Sequence, residues 1–135
     1  ARRQRQMCIR DRYNVLNDNL KKQNGIFFPN RDSDEYFVGS SIQFRIDSLN
    51  NEQIKSFINN CKARGVELKW FGDEKPVAYT SRYDSWKYLD NIPRLANTLR
   101  ILAKTFDMRI PLTFTVKDCN IISKIIIEEL QKVQN

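Results

Sequence analysis

The chain has 135 residues, 41% of them hydrophobic, and its 23 Lys and Arg against 16 Asp and Glu give a net charge of +7. This length suits one small domain. The absence of histidine excludes zinc sites and every His-dependent base or catalytic triad within these residues. No apolar run approaches the roughly 20 residues of a membrane-spanning helix, so we expect no membrane partner.

The first twelve residues differ in composition from the rest. Residues 2–12 can be back-translated into a string that resembles the adaptor of transposase-based sequencing libraries, read in one frame; the alternative is a basic tail for nucleic acid or targeting. Without its five arginines and one aspartate, the chain has 18 basic and 15 acidic residues and a net charge of +3. That modest charge weakens the case for a nucleic-acid partner. We therefore expect an artefactual tail at residues 1–12, a domain at residues 13–135 and no nucleic-acid partner.

Helix caps and apolar periodicity predict the order of the elements. Asn50 with Gln53 and Thr115 with Asp118 have the spacing of capping boxes, and Gly65 is typical of the residue just beyond a helix. Short runs of β-branched and aromatic residues between these signals are typical of strands. The predicted elements are helix 13–24, strand 36–46, helix 50–64, strand 66–71, helix 92–105, strand 108–114 and a last helix after Thr115.

This order predicts an α+β fold, with helices packed on a small sheet of about three strands. Pro93 suits the first turn of the helix at 92–105. Pro111 places the strand at 108–114 near an edge or a bulge, because proline cannot donate to a sheet ladder.

Two cysteines outside the tail, Cys61 and Cys119, each fall in a predicted helix. Neither belongs to a CxxC pair, so no metal site is expected. We interpret both as buried free thiols, which fits a reducing cytoplasm.

An ordered set of segments resembles the C-terminal small domain of fold-type I pyridoxal-phosphate aminotransferases, and most of all the sugar aminotransferases of the DegT/StrS-like family. The resemblance covers residues 13–134. The segments that carry it are Phe37-Val-Gly-Ser-Ser-Ile-Gln-Phe44, Asn50-Asn-Glu-Gln-Ile54, Arg64-Gly-Val66, Lys69-Trp-Phe-Gly72, Tyr79-Thr-Ser-Arg-Tyr-Asp-Ser-Trp86 and Asp107-Met-Arg-Ile-Pro-Leu112.

The resemblance implies a C-terminal fragment of a pyridoxal 5′-phosphate enzyme that moves an amino group from an amino-acid donor to a keto-sugar or a 2-oxo acid. The lysine that forms the imine with the cofactor, and most of the cofactor pocket, would belong to a preceding large domain. The fragment alone is then expected to be inactive, and the full-length enzyme to be a cytoplasmic homodimer.

Arg109 is the first candidate for substrate binding. Many amino-acid aminotransferases have an arginine at the matching place, forked onto the substrate α-carboxylate, although sugar aminotransferases commonly lack it. A planar, permanently charged guanidinium suits such a contact. The alternative is an ordinary surface ion pair between Asp107 and Arg109, which would stabilise little.

Two aromatic residues and a loop supply the other candidates. Trp70 and Phe71 could line the binding site of a substrate or the edge of the cofactor, but packing of one of the two in the core is the safer expectation. Tyr79 and Arg82 lie in a long loop, and Arg82 could contact a phosphate or carboxylate; the alternative is a solvated loop whose aromatic residues pack on the domain.

Strand residues Ser40, Ser41 and Gln43 could face the cofactor domain, or serve only in sheet hydrogen bonding. A rival interpretation of the whole chain is a non-enzymatic α+β binding or regulatory module. Against that interpretation stand the modest corrected charge and the lack of regular Lys/Arg stripes with interleaved aromatic residues.

Overall fold

The computed structural model describes residues 2–73 and 90–135, with side chains from Ile9 onward. Four helices and three strands lie within these residues. In chain order they are α1 (Arg2–Lys21), β1 (Ser41–Arg45), α2 (Asn51–Ala63), β2 (Lys69–Trp70), α3 (Ala96–Leu102), β3 (Thr105–Arg109) and α4 (Val116–Gln134). The predicted α+β class and the predicted order of elements are confirmed.

The sheet is antiparallel, with β3 between β1 and β2. Ser41 lies opposite Arg109 at one end of the β1–β3 ladder, and Arg45 lies opposite Thr105 at the other. On the far side of β3, Lys69 lies opposite Asp107. The last strand in the sequence is therefore the central strand of the sheet, and both of its edges are hydrogen-bonded.

Helices α1, α2 and α4 pack together and cover one face of the sheet. Alternation along β1 and β3 turns the side chains of Ile42, Phe44, Phe106 and Met108 to this face, where all four are buried. The Phe106 ring stacks on Phe44 with centroids 5.6 Å apart and meets Phe57 of α2 edge-on at 5.7 Å. The apolar core thus lies between the sheet and the helix layer.

The predicted caps are present. Gln53 N–H donates to Asn50 Oδ1 at 2.8 Å, and Asn50 N–H donates to Gln53 Oε1 at 2.9 Å, so the start of α2 has a complete capping box. The same reciprocal pair joins Thr115 and Asp118 at the start of α4. Gly65, with a φ of 88°, follows α2 and gives that helix the left-handed ending expected of glycine.

Several boundaries differ from the sequence-based predictions. The third strand was expected at 108–114 near an edge, but β3 is Thr105–Arg109 and central. Pro111 lies beyond it, in a turn where Phe114 N–H donates to Pro111 O at 3.1 Å. Helix α3 is Ala96–Leu102 rather than 92–105, so Pro93 precedes the helix instead of entering it. Thr105, predicted as the end of that helix, begins β3.

Strands β1 and β2 are shorter than the predicted runs at 36–46 and 66–71, and helix α1 is longer than the predicted 13–24. It begins at Arg2 and continues through the tail without a break. Arg12 donates to the main-chain oxygens of Leu112 and Phe114, whereas the first member of the apolar core is Tyr13. The origin of residues 2–12 in an adaptor stays a prediction.

Candidate functional site

The sheet face opposite the helices has a polar surface, which we call the polar face. Its side chains alternate along the strands with those of the core, because successive residues of a strand point to opposite sides. In the register of the sheet it consists of Ser41, Gln43, Arg45, Lys69, Thr105, Asp107 and Arg109. The polar face therefore unites residues that are up to 68 positions apart in the sequence.

Arg109 lies at the end of β3 and is exposed. Its Cα pairs across the ladder with Ser41, whose side chain shares the polar face. Within the described residues, the Arg109 side chain makes no hydrogen bond or ion pair. The guanidinium is thus free to bind a planar oxyanion with two parallel hydrogen bonds.

Asp107 is the acidic member of the polar face and is only 7% exposed. Its Oδ2 lies 3.9 Å from Lys69 Nζ, on the neighbouring strand β2. Lys69 Nζ also lies 5.2 Å from the centre of the Phe71 ring, where the ammonium can interact with the π face. The ion pair of Asp107 is therefore with Lys69, and the alternative of an Asp107–Arg109 pair is not found.

The remaining cation of the polar face, Arg45, has a carboxylate beside it. Arg45 Nε lies 2.9 Å from Asp47 Oδ1, although this contact is not aligned as a hydrogen bond and the Nε–H has no other partner in the described structure. Arg45 and Lys69 are thus each matched by an acidic group. Arg109 is the cation of the polar face whose charge has no such neighbour.

The two aromatic candidates lie on opposite sides of the sheet. Trp70 is 6% exposed and belongs to the core, and its indole Nε1–H donates to Ala103 O at 2.9 Å. Phe71 follows β2, and its ring lies beneath Lys69 on the side of the polar face. The expectation that one of the pair packs in the core is thus met by Trp70, which lies on the face opposite Arg109. Its assignment to a substrate wall stays a prediction.

Gly72 is required by close packing rather than by a special φ angle. A Cβ added there would lie 2.7 Å from both Ala103 Cα and Trp70 Nε1. Side-chain carbon atoms do not approach backbone atoms so closely, and Gly72 is not among the glycines with positive φ. The glycine therefore allows the chain after β2 to pass over the buried indole.

Tyr79 and Arg82, together with the rest of their loop, lie outside the described residues. Of the three strand candidates, Ser41 and Gln43 are on the polar face. Ser40 uses its main-chain oxygen to accept a hydrogen bond from Ile110 N–H at 2.9 Å, which extends the ladder beyond β1.

Cys61 and Cys119 are buried and free, as predicted. Burial, together with the nearby Glu129 carboxylate, raises the pKa of Cys61 to about 12. Burial is also the first cause of a raised pKa at Cys119. Because the thiolate is the nucleophile and metal ligand, these thiols are suited to packing rather than to catalysis. In the part of the chain that the structure describes, no group of three potential ligands could hold a metal ion.

Sequence reasoning missed a charged cluster on the helix layer. The buried Glu129 carboxylate of α4 accepts hydrogen bonds from Arg64 Nη1 at 3.1 Å and from Lys132 Nζ at 2.9 Å. The bond from Lys132, followed by that from Arg64, holds the pKa of Glu129 below its ordinary value. The i,i+3 spacing of Glu129 and Lys132 could have been found in the sequence, but the contact with Arg64 depends on how α2 packs against α4.

The pairing of Lys69 with Asp107 was also missed. Its signal is a carboxylate flanked by two apolar residues, Phe106 and Met108, in a short strand. That pattern assigns Asp107 to the face opposite the core. It does not identify β2 as the neighbouring strand, because α3 lies between β2 and β3 in the chain and no hairpin joins the two strands.

None of the helices in the described residues is long and apolar enough to cross a membrane. Comparisons with protein-family models, curated proteins and solved structures found no match to this chain.

Proposed function

We propose that this chain is the C-terminal small domain of a pyridoxal-phosphate-dependent aminotransferase of fold type I, and that Arg109 binds the α-carboxylate of its amino-acid donor. The observation that carries the proposal is the unpaired Arg109 guanidinium on the polar face, beside Ser41 and opposite the helix layer. An exposed arginine without an acidic neighbour is suited to a ligand, since its forked donors match a carboxylate.

The Lys69–Asp107 pair supports this assignment. By holding the one acidic side chain of the polar face 3.9 Å from Lys69 Nζ, it leaves the charge of Arg109 uncompensated. Opposite charges close to a guanidinium would compete with the carboxylate of a substrate. In this proposal Asp107 and Lys69 shape the electrostatics of the surface, and Arg109 contacts the ligand.

The cofactor is assigned to another part of the enzyme. Lys69, the lysine of the polar face, already contacts Asp107 and Phe71. When bound, pyridoxal phosphate serves as an electron sink for the substrate carbon that loses its proton. This chain would contribute the substrate-carboxylate contact and a wall that closes over the site.

The reaction class follows from the family resemblance. The donor is an amino acid and the acceptor is a keto-sugar or a 2-oxo acid. The full-length enzyme is proposed to be a homodimer in the cytoplasm, an environment consistent with two buried cysteines that form no disulfide.

The first test is the genomic sequence upstream of the codon for Tyr13. A reading frame that continues into a large α/β domain with an imine-forming lysine would support the proposal. A start codon close to Tyr13 would instead support a free-standing binding module and would contradict the aminotransferase assignment.

The second test is kinetic and uses the full-length enzyme with Arg109→Lys. This variant keeps the positive charge but loses the forked geometry, so we expect the donor half-reaction to weaken by about 1.5–3 kcal/mol, the range for a hydrogen bond to a charged group. The measurement is the rate of the cofactor's spectral change against donor concentration, with wild type beside the variant.

Affinity for the cofactor should be the same in both proteins, and Arg94→Lys, another exposed arginine, is the matched control. An unchanged donor response in Arg109→Lys would remove Arg109 from the substrate site. Attention would then move to Arg82.

A further inference from the structure

In the part of the chain that the structure describes, strand β1 has one edge without a strand partner. Ser40 O accepts a hydrogen bond from Ile110 N–H, and Ile46 N–H donates to Lys104 O at 3.0 Å. The main-chain N–H and C=O groups of the even-numbered residues in this segment therefore point towards β3. The main-chain groups of the odd-numbered residues must point to the opposite edge of β1, because hydrogen-bonding groups alternate along an antiparallel strand. Arg45 demonstrates this: its N–H and C=O bond to Phe27 at 2.8 Å each.

The main-chain groups of Ser41 and Gln43 point to the same edge, and no residue in the described structure bonds to them there. The reason lies in the sequence. Continuing the antiparallel bridge beyond Phe27 would bring Pro29 opposite Gln43, and proline has no N–H to donate. The chain therefore leaves the edge after a single bridge.

A cavity of about 180 Å³ lies between this edge and the departing chain. It is lined by Ser41 and Gln43 of β1, by Arg31 and by residues 37–40. We call this cavity the edge slot. It is smaller than the roughly 300 Å³ at which small-molecule pockets begin, and the Phe27–Arg45 bridge closes the edge at its other end. Such dimensions suit the last residues of an extended chain, not a through-running strand.

Arg31 lines the edge slot, and Glu35 compensates part of its charge. Its Nη1 donates to Glu35 Oε1 at 2.7 Å, and its guanidinium lies 4.5 Å from the centre of the Phe37 ring. These two contacts fix the position of the group. Its Nε and Nη2 donors have no partner in the described structure and can bind a carboxylate.

We propose that the edge slot binds the C-terminal end of an extended peptide, with main-chain hydrogen bonds to Ser41 and Gln43 and the terminal carboxylate on Arg31. The free donors and acceptors of β1 match an extended backbone, and the remaining Nε and Nη2 donors of Arg31 match its terminal carboxylate. Val38, an exposed apolar residue that lines the edge slot, would contact a side chain of the peptide. This inference does not depend on Arg109 or on the proposed enzymatic function.

The experiment is a titration of the ¹⁵N-labelled chain with acetyl-Val-Thr-Val that has a free C-terminus, followed by amide chemical shifts. We expect saturable shifts at the Ser41 and Gln43 amides. The same tripeptide with a C-terminal amide should bind about tenfold or more weakly, since it loses the charge-assisted contact with Arg31.

Two variants separate the two kinds of contact. Ser41→Pro removes the N–H at the free edge while leaving the bonds to β3, and Ser41→Ala is its control because it keeps the N–H. Arg31→Gln removes the charge, with Arg94→Gln, an exposed arginine outside the edge slot, as its control. We expect Ser41→Pro and Arg31→Gln each to weaken binding at least tenfold, and both controls to bind as the wild type does. Should Ser41→Pro fail to fold, Arg31→Gln and the amidated peptide still decide the question.

Several results would overturn the proposal. They are an absence of shifts at both amides, equal affinity for the free and amidated peptides, or wild-type affinity in Arg31→Gln. Equal shifts with acetate alone would show a small-anion site in place of a peptide site. Shifts that depend on protein concentration without peptide would show that a second copy pairs with this edge.

Discussion

The two faces of the sheet have opposite compositions although they share the same three short strands. On the helix side, Phe44 and Phe106 are fully buried and stack on each other. On the polar face, Ser41 and Arg109 lie opposite each other, and Arg109 is exposed. The two sets of side chains alternate along each strand, so shifting the pairing register of a strand by one residue would exchange its two faces.

This comparison teaches that the residues that stabilise the fold and the residue proposed to bind a ligand lie on opposite faces of the same strand. Burial of aromatic surface on one side stabilises the fold and fixes the strand in place. The fixed strand then holds the side chains of the polar face in position, so these side chains need no packing contacts of their own. Arg109 can thus stay unpaired, because Phe106 and Met108 anchor β3.

The largest expected effect comes from Phe106→Ala. Its ring contacts both Phe44 and Phe57 and is fully buried, so its loss leaves a cavity in the core. We expect the free energy of unfolding to fall by about 3–5 kcal/mol. Urea denaturation of wild type and variant measures this change.

Arg109→Ala is the matched control on the other face of the same strand. It should change the free energy of unfolding by no more than about 0.5 kcal/mol, as is usual for surface substitutions. Equal losses in the two variants would mean that the polar face contributes to stability as the core does, and the contrast between the faces would be lost.

A smaller effect is expected from Gly72→Ala, which sharpens the comparison at the point where β2 ends. The new methyl group would meet Ala103 Cα and the Trp70 indole at 2.7 Å. Overpacking of this kind costs about 1–3 kcal/mol, and the displaced indole should lose its hydrogen bond to Ala103 O. Denaturation and tryptophan fluorescence measure the two consequences.

Gly65→Ala is the control. A Cβ at this position would have no atom within 4 Å, so the substitution carries only the backbone strain of a φ of 88°. Its fluorescence spectrum should match that of the wild type. An unshifted spectrum in Gly72→Ala as well would show that the indole is not constrained by this glycine.

The smallest expected effect concerns acid and the helix layer. The pKa of Glu129 is lowered in the folded chain, first by the hydrogen bond from Lys132 and then by that from Arg64. A lowered folded-state pKa contributes stability that is complete above the ordinary glutamate pKa of about 4.3 and is lost as the pH falls through the lowered value.

We therefore expect the melting temperature to fall on acidification below about pH 4.3, and to fall less steeply in Glu129→Gln. Arg109→Gln, on the polar face, should keep the wild-type slope. Identical acid profiles for wild type and Glu129→Gln would show that this cluster does not contribute to the pH dependence.

Local signals in the sequence predicted the parts of the fold that depend on neighbouring residues. Both capping boxes and the glycine after α2 were identified correctly because each is a contact within a few positions of the chain. The assignment of one aromatic residue of the Trp70–Phe71 pair to the core was also correct. It follows from alternation along a strand, which is again a local property.

The boundaries of β3 and α3 were wrong because their limits depend on distant partners. Thr105 has helical residues before it, yet it pairs with Arg45, which is 60 positions away. Pro111 ends the pairing rather than marking an edge strand, since β3 already has a neighbour on each side. No local pattern contains that information.

The sequence by itself determined the order of the elements, both capping boxes and the α+β class, and it offered Arg109 only as a candidate substrate ligand. Only the tertiary structure decided that Asp107 pairs with Lys69 and not with Arg109, that Trp70 lies away from the polar face, and that β1 keeps a free edge. The physical reason is that helix caps close within one turn, whereas the sheet brings Ser41, Lys69 and Arg109 together by hydrogen bonds between segments far apart in the chain.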